Sequence, residues 1–172
     1  MKLAIWILAG LFAAGPCEAK EKFAAQIRDA LQGSSFYRHP SEVRDADELF
    51  LGYDAAGRLT SAVVLGPIQS SARVTALVRA LRQETGAIID RTEILDIDKI
   101  KNESNRQAVL DMAAALRGTI VPNGGSKGHA VDAVSGATAY RAGLAGDFNK
   151  LVKALAEAMA PDSPWLKMPQ AR

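Results

Sequence analysis

The spacing of apolar residues changes character twice along the chain, from helical to extended and back. From Lys20 to Gln32, Phe23, Ile27, Ala30 and Leu31 recur at the intervals of one helix face, and Gly33-Ser34-Ser35 ends the pattern. An amphipathic N-terminal helix is expected there. Tyr37, His39 and Pro40 then fall in a linker, and the acidic run from Ser41 to Glu48 fits one short helix. Two β-hairpins are predicted next. Leu49 to Tyr53 is apolar and aromatic, Asp54-Ala55-Ala56-Gly57 has the composition of a turn with Gly where positive φ is tolerated, and Leu59 to Leu65 resumes the strand. Gly66-Pro67 predicts its end. In the second unit, Val74, Leu77, Val78 and Leu81 fit a helix, while Val74, Ala76, Val78 and Ala80 fit an alternating strand. The neighbouring residues favour the strand: Glu84-Thr85-Gly86 is turn-like, and Ala87 to Ile97 is rich in β-branched residues.

Helical spacing then returns. Ser104-Asn105-Arg106-Gln107 has the form of a capping box, Val109, Leu110, Met112, Ala113 and Leu116 follow on one face, and Gly118 supplies a stop. Pro122 to Gly128 is a polar, glycine-rich loop, and Val131 to Val134 fits a short strand. A last helix is predicted from about Ala139 to Met159, with Leu144, Phe148, Leu151, Val152 and Leu155 on its apolar face and Pro161 and Pro164 beyond its end. Trp165 and Leu166 could dock the tail onto the body. The expected fold class is α+β, with antiparallel β-hairpins packed with helices.

Composition adds little to that picture and changes none of it. The 172 residues are 48% hydrophobic and 23% charged, as for one globular domain with a core. The net charge of +2 comes from scattered basic residues and gives no reason to expect nucleic acid as a partner. The first residues do change the compartment. Lys2, the apolar stretch Leu3 to Ala14, the break at Gly15-Pro16 and the small residues Cys17 and Ala19 together read as a secretory signal cleaved after Ala19. The apolar stretch is short for a membrane span, and a buried first helix is the alternative. Pro16 stands where a lipoprotein would need a small residue before Cys17. Cleavage would remove the single cysteine, so the mature chain would carry no thiol chemistry. A periplasmic location is expected.

The chemistry concentrates in Asp132-Ala133-Val134-Ser135-Gly136-Ala137-Thr138. Gly136 permits a sharp turn, Ala137 keeps bulk away, and Thr138 is placed to cap the last helix. A phosphate bonded to Thr138 would meet the free N–H groups and positive dipole end of that helix. Lys127, His129 and Arg141 are close in sequence and could add charge-assisted contacts. The alternative is a glycine turn capped by Ser and Thr.

Asp132-x-x-Ser135-Gly136-Ala137-Thr138 resembles the flavinylation motif of the FMN-binding domain family, which includes subunits of sodium-translocating NADH:quinone oxidoreductase, the G subunit of the Rnf complex and periplasmic regulators of nitrous oxide reduction. In that family an FMN transferase moves FMN from FAD onto the last Thr. The resemblance therefore implies that Thr138 carries FMN through a phosphoester bond, and that Asp132, Ser135, Gly136 and Ala137 form the recognition sequence of the transferase. Many members continue with a hydroxyl pair after the Thr, whereas Ala139-Tyr140 follows here. The family's order of hairpins, helix, variable loop, motif and closing helix runs from roughly Leu49 to Ala160. By typical residue frequencies the five fixed letters would coincide about once in a million start positions, which argues against chance.

The resulting division is a signal peptide over 1–19, an N-terminal helix and linker over 20–48, an FMN-binding domain over 49–160 and a tail over 161–172. The implied function is electron carriage by an exported flavoprotein between a membrane-associated donor and an extracytoplasmic acceptor. The alternatives are a structural or sensory FMN-binding module and a flavin reductase with its own substrate. No second cofactor motif or acid–base constellation is visible, so no catalytic residue is assigned. Tyr53, Tyr140 and Phe148 are candidates to border a flavin ring. His39 and His129 are too isolated for a metal site, and Asp96, Asp98 and Glu103 match no calcium loop. Glu84-Thr85, a pair seen near the flavin in some relatives of the family, is explained better as a hairpin turn.

Overall fold

Hairpins build the centre of the molecule, and helices cover both faces of the sheet they form. The computed structural model describes residues 18–31, 35–39, 48–84, 86–121 and 139–168, with backbone alone at 18–22, 35–39 and 139–141. Helix α1 spans Glu18–Ala30, followed by strands β1 (Ser35–His39), β2 (Glu48–Tyr53), β3 (Leu59–Gln69), β4 (Arg73–Gln83) and β5 (Gly86–Ile94). Helix α2 (Glu103–Ala115), the short strand β6 (Ile120–Val121) and helix α3 (Ala139–Met159) complete the order. The strands lie in sequence order in one sheet, and every neighbouring pair is antiparallel. The α+β expectation of an antiparallel sheet packed with helices describes this architecture.

Strand alternation sorts the side chains to two faces. On one face, Leu51, Val64, Ala76, Val78 and Ile89 are buried with Val109 and Met112 of α2 and with Leu144, Phe148, Leu151 and Leu155 of α3. On the other, Phe50, Val63, Leu65 and Leu77 meet Phe23, Ile27, Ala30 and Leu31, the residues whose spacing predicts α1. An ionic clamp supplements that smaller contact. Arg79 Nη1 donates to the Ala30 carbonyl at 2.8 Å, at the negative end of α1, while the same guanidinium pairs with Asp90. A β-bulge makes room for this pair: Arg79 lies opposite Arg91 and Ala80 opposite Ile89, so Asp90 is the extra residue.

Several boundaries differ from the pattern-based expectation, each for a physical reason. The linker around Tyr37 and His39 contains β1, whose backbone takes its partners from β2; five residues without regular alternation give no strand signal. Ser41 to Asp47 lies outside the described residues, and Glu48 opens β2. Gly66-Pro67 does not stop β3, which continues to Gln69. Pro67 pairs with Thr75, whose N–H bonds Asp96 and whose carbonyl accepts from Leu95, both on the side away from β3. Pro67 is thus in a non-hydrogen-bonded pair with β4, and its other side lies past the paired stretch of β2, so no ladder bond requires its missing N–H. Ile97 belongs to a 3-10 turn, Ile97–Lys99, rather than to β5. The cap of α2 is Asn102, whose Oδ1 accepts from the Asn105 N–H at 3.0 Å, and not Ser104. Strand β6 is too short to show a period of its own and takes its place from β5. Val131 to Val134 lies outside the described residues.

The turn expected at Asp54 to Gly57 is held by one carboxylate. Asp54 Oδ1 accepts from the N–H groups of Ala56 and Arg58 at 2.9 Å each, Oδ2 pairs with Arg58 Nε at 2.9 Å, and Gly57 takes φ of 72°. The Arg58 backbone bond comes first among the causes that hold the Asp54 carboxyl below its ordinary value. The tail docks beside this turn: Met168 N–H donates to the Gly57 carbonyl at 2.7 Å, and Tyr53 Oη donates to the Trp165 carbonyl at 3.0 Å.

Three measurements test these assignments. Thr92 is 2% exposed and its Oγ1 has no hydrogen-bond partner, so Thr92→Val is expected to raise unfolding free energy by about 1 kcal/mol in urea denaturation; a loss would mean the hydroxyl is bonded. A Cβ at Gly66 would overlap Leu151 Cδ2, whereas exposed Gly143 and Gly146 of α3 have open space around them. Gly66→Ala should therefore cost about 1–3 kcal/mol, and Gly143→Ala and Gly146→Ala should each add about 0.5–1 kcal/mol. Because the folded Asp54 carboxyl is lowered, its contribution is present above its unfolded value and is lost as pH falls through the folded one. In an NMR titration Asp54 should therefore protonate below the ordinary range of an aspartate, and the Ala56 and Arg58 amide shifts should follow it.

Candidate functional site

Helix α3 is the element that carries the chain out of the segment Asp132 to Thr138, and its seat on the sheet is defined at three levels. Leu144, Phe148, Leu151 and Leu155 present the buried face, all essentially inaccessible to solvent. Where α3 crosses β3, Gly66 has no side chain and Leu151 occupies the space. One turn earlier, Asp147 Oδ2 accepts from the Gln69 backbone N–H at 2.8 Å, and Asp147 Oδ1 lies 3.3 Å from Lys150 Nζ. At the far end, Arg82 Nη1 donates to the Met159 carbonyl at 3.2 Å, satisfying one of the last carbonyls of the helix. Asp147 thus lies at Gln69, Leu151 at Gly66 and Met159 near Arg82, whose neighbour Leu81 pairs with Ser61. Helix α3 therefore runs antiparallel to β3, with its N-terminal end at the β3–β4 hairpin.

The helix begins at Ala139, the residue that follows Thr138 in the chain. At a rise of about 1.5 Å per residue, Ala139 stands roughly 12 Å along the axis from Asp147. As in any α-helix, the first four N–H groups have no acceptor within the helix and form its positive end. Ala142 and Gly143 are exposed, and no described atom lies within 4 Å of where a Cβ at Gly143 would stand. Among the described side chains, small residues at Ala142 and Gly143 leave this part of the α3 surface uncrowded. Asp132, Ser135, Gly136, Ala137 and Thr138 themselves lie outside the described residues, as do Lys127 and His129, while Arg141 is described only as backbone of α3.

Several other residues singled out by sequence have structural roles, while the side chains of His39 and Tyr140 lie outside the described residues. Tyr53 and Phe148, expected beside a flavin ring, are fully buried core side chains, and the Tyr53 hydroxyl is bonded to the tail. Asp96 accepts from the Thr75 N–H at 2.6 Å and pairs with Lys99, which ties the 3-10 turn to β4. Glu103 pairs with Arg106 on α2 at 3.1 Å. Among the described residues no three His, Cys, Asp or Glu side chains are grouped to hold a metal ion. Glu84 lies in the β4–β5 turn, with Gly86 at φ of 152° and Thr85 outside the described residues. His39 pairs by backbone register with Leu49. On the α1 side of the sheet, Arg91 bonds Glu93 at 2.7 Å and Asp29 at 2.8 Å; these bonds, Glu93 first, raise the guanidinium above its ordinary value, so it is permanently charged.

Sequence reasoning passes over Asp147 and Gly66, although a signal exists for the first. Asp147 stands three residues after Leu144 and four before Leu151, so it interrupts the apolar face of α3 with a carboxylate. A charge in that position needs a partner, and the Gln69 N–H supplies one. Gly66 is legible only as a turn residue, because its reason lies in a helix more than 80 positions later. Among the described residues, no helix is long and apolar enough to cross a membrane. Compared with protein-family models, with curated proteins and with solved structures, the chain matches none.

Proposed function

We propose that this chain is an exported flavoprotein that carries FMN covalently on Thr138, joined through the FMN phosphate to the threonine hydroxyl, and that it relays electrons between a membrane-associated donor and an extracytoplasmic acceptor. The observation that carries this reading is the segment Asp132-x-x-Ser135-Gly136-Ala137-Thr138 immediately before a helix that starts at Ala139. The described residues suit such a group. A helix N-terminus favours a phosphate without requiring many basic side chains, and Ala142 and Gly143 leave room beside it. The long, buried seat of α3 on β3 gives the attachment point a rigid base.

Maturation requires a partner enzyme, an FMN transferase that recognises Asp132, Ser135, Gly136 and Ala137 and uses FAD as donor. The Thr138 hydroxyl then replaces AMP on the flavin-side phosphorus and loses its proton. When bound, FMN would supply the redox chemistry, and the protein would supply tethering, apolar packing and electrostatics. A covalent bond has a clear advantage outside the cytoplasm, where a dissociable flavin would be diluted and lost.

Export of the full chain together with an FMN transferase, followed by denaturing electrophoresis and in-gel flavin fluorescence, tests the assignment. A fluorescent band from the wild type and none from Thr138→Ala is expected. A dark wild type, or equal fluorescence from Thr138→Ala, would overturn it. A bound flavin that no donor reduces would favour a structural or sensory role over electron carriage.

A further inference from the structure

We propose that Asp147 is a positioning residue that fixes the N-terminal part of α3, and with it the attachment point at Thr138, by holding the Gln69 N–H at the end of β3. The inference rests on the reading of Thr138 as the flavin acceptor, while its own foundation is geometric.

Three observations carry it. Leu65, Pro67 and Gln69 alternate on β3 with their backbone N and O directed away from β4, as the bonding of Thr75 opposite Pro67 requires. Among the described residues the β2 ladder reaches β3 as far as Leu65, so Gln69 is beyond it. Its N–H would lack a strand partner, and Asp147 Oδ2 accepts from it at 2.8 Å. The acceptor is charged and only 19% exposed, which makes the bond stronger than a neutral surface contact. Finally, Asp147 and Leu151 are one helical turn apart and engage Gln69 and Gly66 of the same strand. The polar contact thus adds to the apolar seat of Leu144, Phe148, Leu151 and Leu155 in fixing the direction of α3 along the strand.

The lever is short. Ala139 is eight residues from Asp147, about 12 Å of helix. Toward the C-terminus, the neighbouring ion pair of α3 is that of Lys150 with Asp147 itself, which adds no tie to the sheet. Among the described residues, releasing Asp147 leaves this part of the helix held by its apolar face, Leu144 and Phe148 included, with its polar tie to β3 removed. The start of α3 then moves through a larger range, and a group bonded there loses its defined position relative to the sheet.

The experiment compares Asp147→Ala, Asp147→Asn and Lys150→Ala in the full exported chain with two readouts. The first is amide hydrogen exchange of residues 143–146, whose N–H groups lie within the helix ladder and report the stability of its first turns without any flavin. Asp147→Ala should speed that exchange about tenfold, the scale of losing one charge-assisted bond. Asp147→Asn keeps an acceptor for Gln69 and should restore most of the protection, and Lys150→Ala should leave it unchanged. The second readout is the initial rate of FMN transfer to Thr138 and the midpoint potential of the attached flavin. Transfer should slow by about tenfold in Asp147→Ala and the potential should shift, with recovery in Asp147→Asn. Unchanged exchange in Asp147→Ala, or faster exchange with wild-type transfer rate and potential, overturns the proposal. A wild type that takes no flavin on Thr138 overturns the functional reading, and with it the role of Asp147 toward a flavin; faster exchange in Asp147→Ala would still establish the anchor.

Discussion

Helix α3 lies close against the sheet at position 66, where β3 has no side chain. Leu151 fills that space, and a methyl group there would overlap it. Much of the larger core depends on the contact: Leu144, Phe148, Leu151 and Leu155 all project from α3 onto the face formed by β2 to β5, and none has room to retreat. Leu151 is 1% exposed, so the strain from an added methyl group would pass into its buried neighbours. The close approach also sets the direction of the helix. With Leu151 at Gly66 and Asp147 at Gln69, α3 lies along β3 and not across the sheet.

The same stretch of β3 solves a second problem. Among the described residues, β3 beyond Leu65 extends past β2, and backbone groups left unpaired on such a side could join other chains. Pro67 has no N–H to leave unpaired, and Gln69 gives its N–H to Asp147. The open side is thus blunted by one residue type and one side chain, both spaced at the strand period. The opposite face of the sheet relies on different forces. Among the described side chains, α1 contributes Phe23, Ile27 and Ala30 to its apolar contact, with Leu31 just after it, and Arg79 adds a cation at the helix C-terminus while bonding Asp90. Arg91 joins Asp29 of α1 to the sheet in the same region. Partly buried, multiply bonded arginines are suited to this because the guanidinium can satisfy several acceptors at once.

These features explain which parts of the fold are legible in the sequence. α1 and α3 each bury a face whose period is visible within their own residues, β2 is a continuous apolar run, and the Asp54 turn carries its own turn residues, so local pattern and tertiary role agree. The choice of strand for β4 also holds, decided by the turn and β-branched run beyond it. Where the pattern misleads, the deciding partner is remote. Gly66-Pro67 reads as a stop until the end of β2 and the bonding of Thr75 are known, and β1 has no signal apart from its partner strand. Ser104 resembles a cap because capping residues crowd the start of α2; Asn102 wins by reaching the Asn105 N–H. For the candidate site the balance is different. The seven-residue segment lies outside the described residues, so the chemistry proposed for it rests on its letters alone, whereas the helix that begins at Ala139 is legible from its apolar face. The anchors of that helix are not, since a carboxylate on an apolar stripe names no partner.

On the proposed reading, the division of labour between segment and helix follows from what a tethered redox group requires. Recognition by a transferase needs a short sequence that an enzyme can bind, and small residues such as Gly136 and Ala137 suit close approach. A defined potential and electron-transfer distance need the reverse, an attachment point that does not wander. A loop alone cannot meet both needs. An acceptor placed at the boundary between them can, because the segment before Thr138 serves recognition while the helix after it transmits the rigidity of the core. The first two turns of α3 also contain Ala139, Ala142, Gly143, Ala145 and Gly146, which favour access over packing. Glycines there weaken the helix by roughly 0.5–1 kcal/mol each, and the bond from Asp147 to Gln69 is the polar contact positioned to offset that loosening at the point where α3 reaches the sheet.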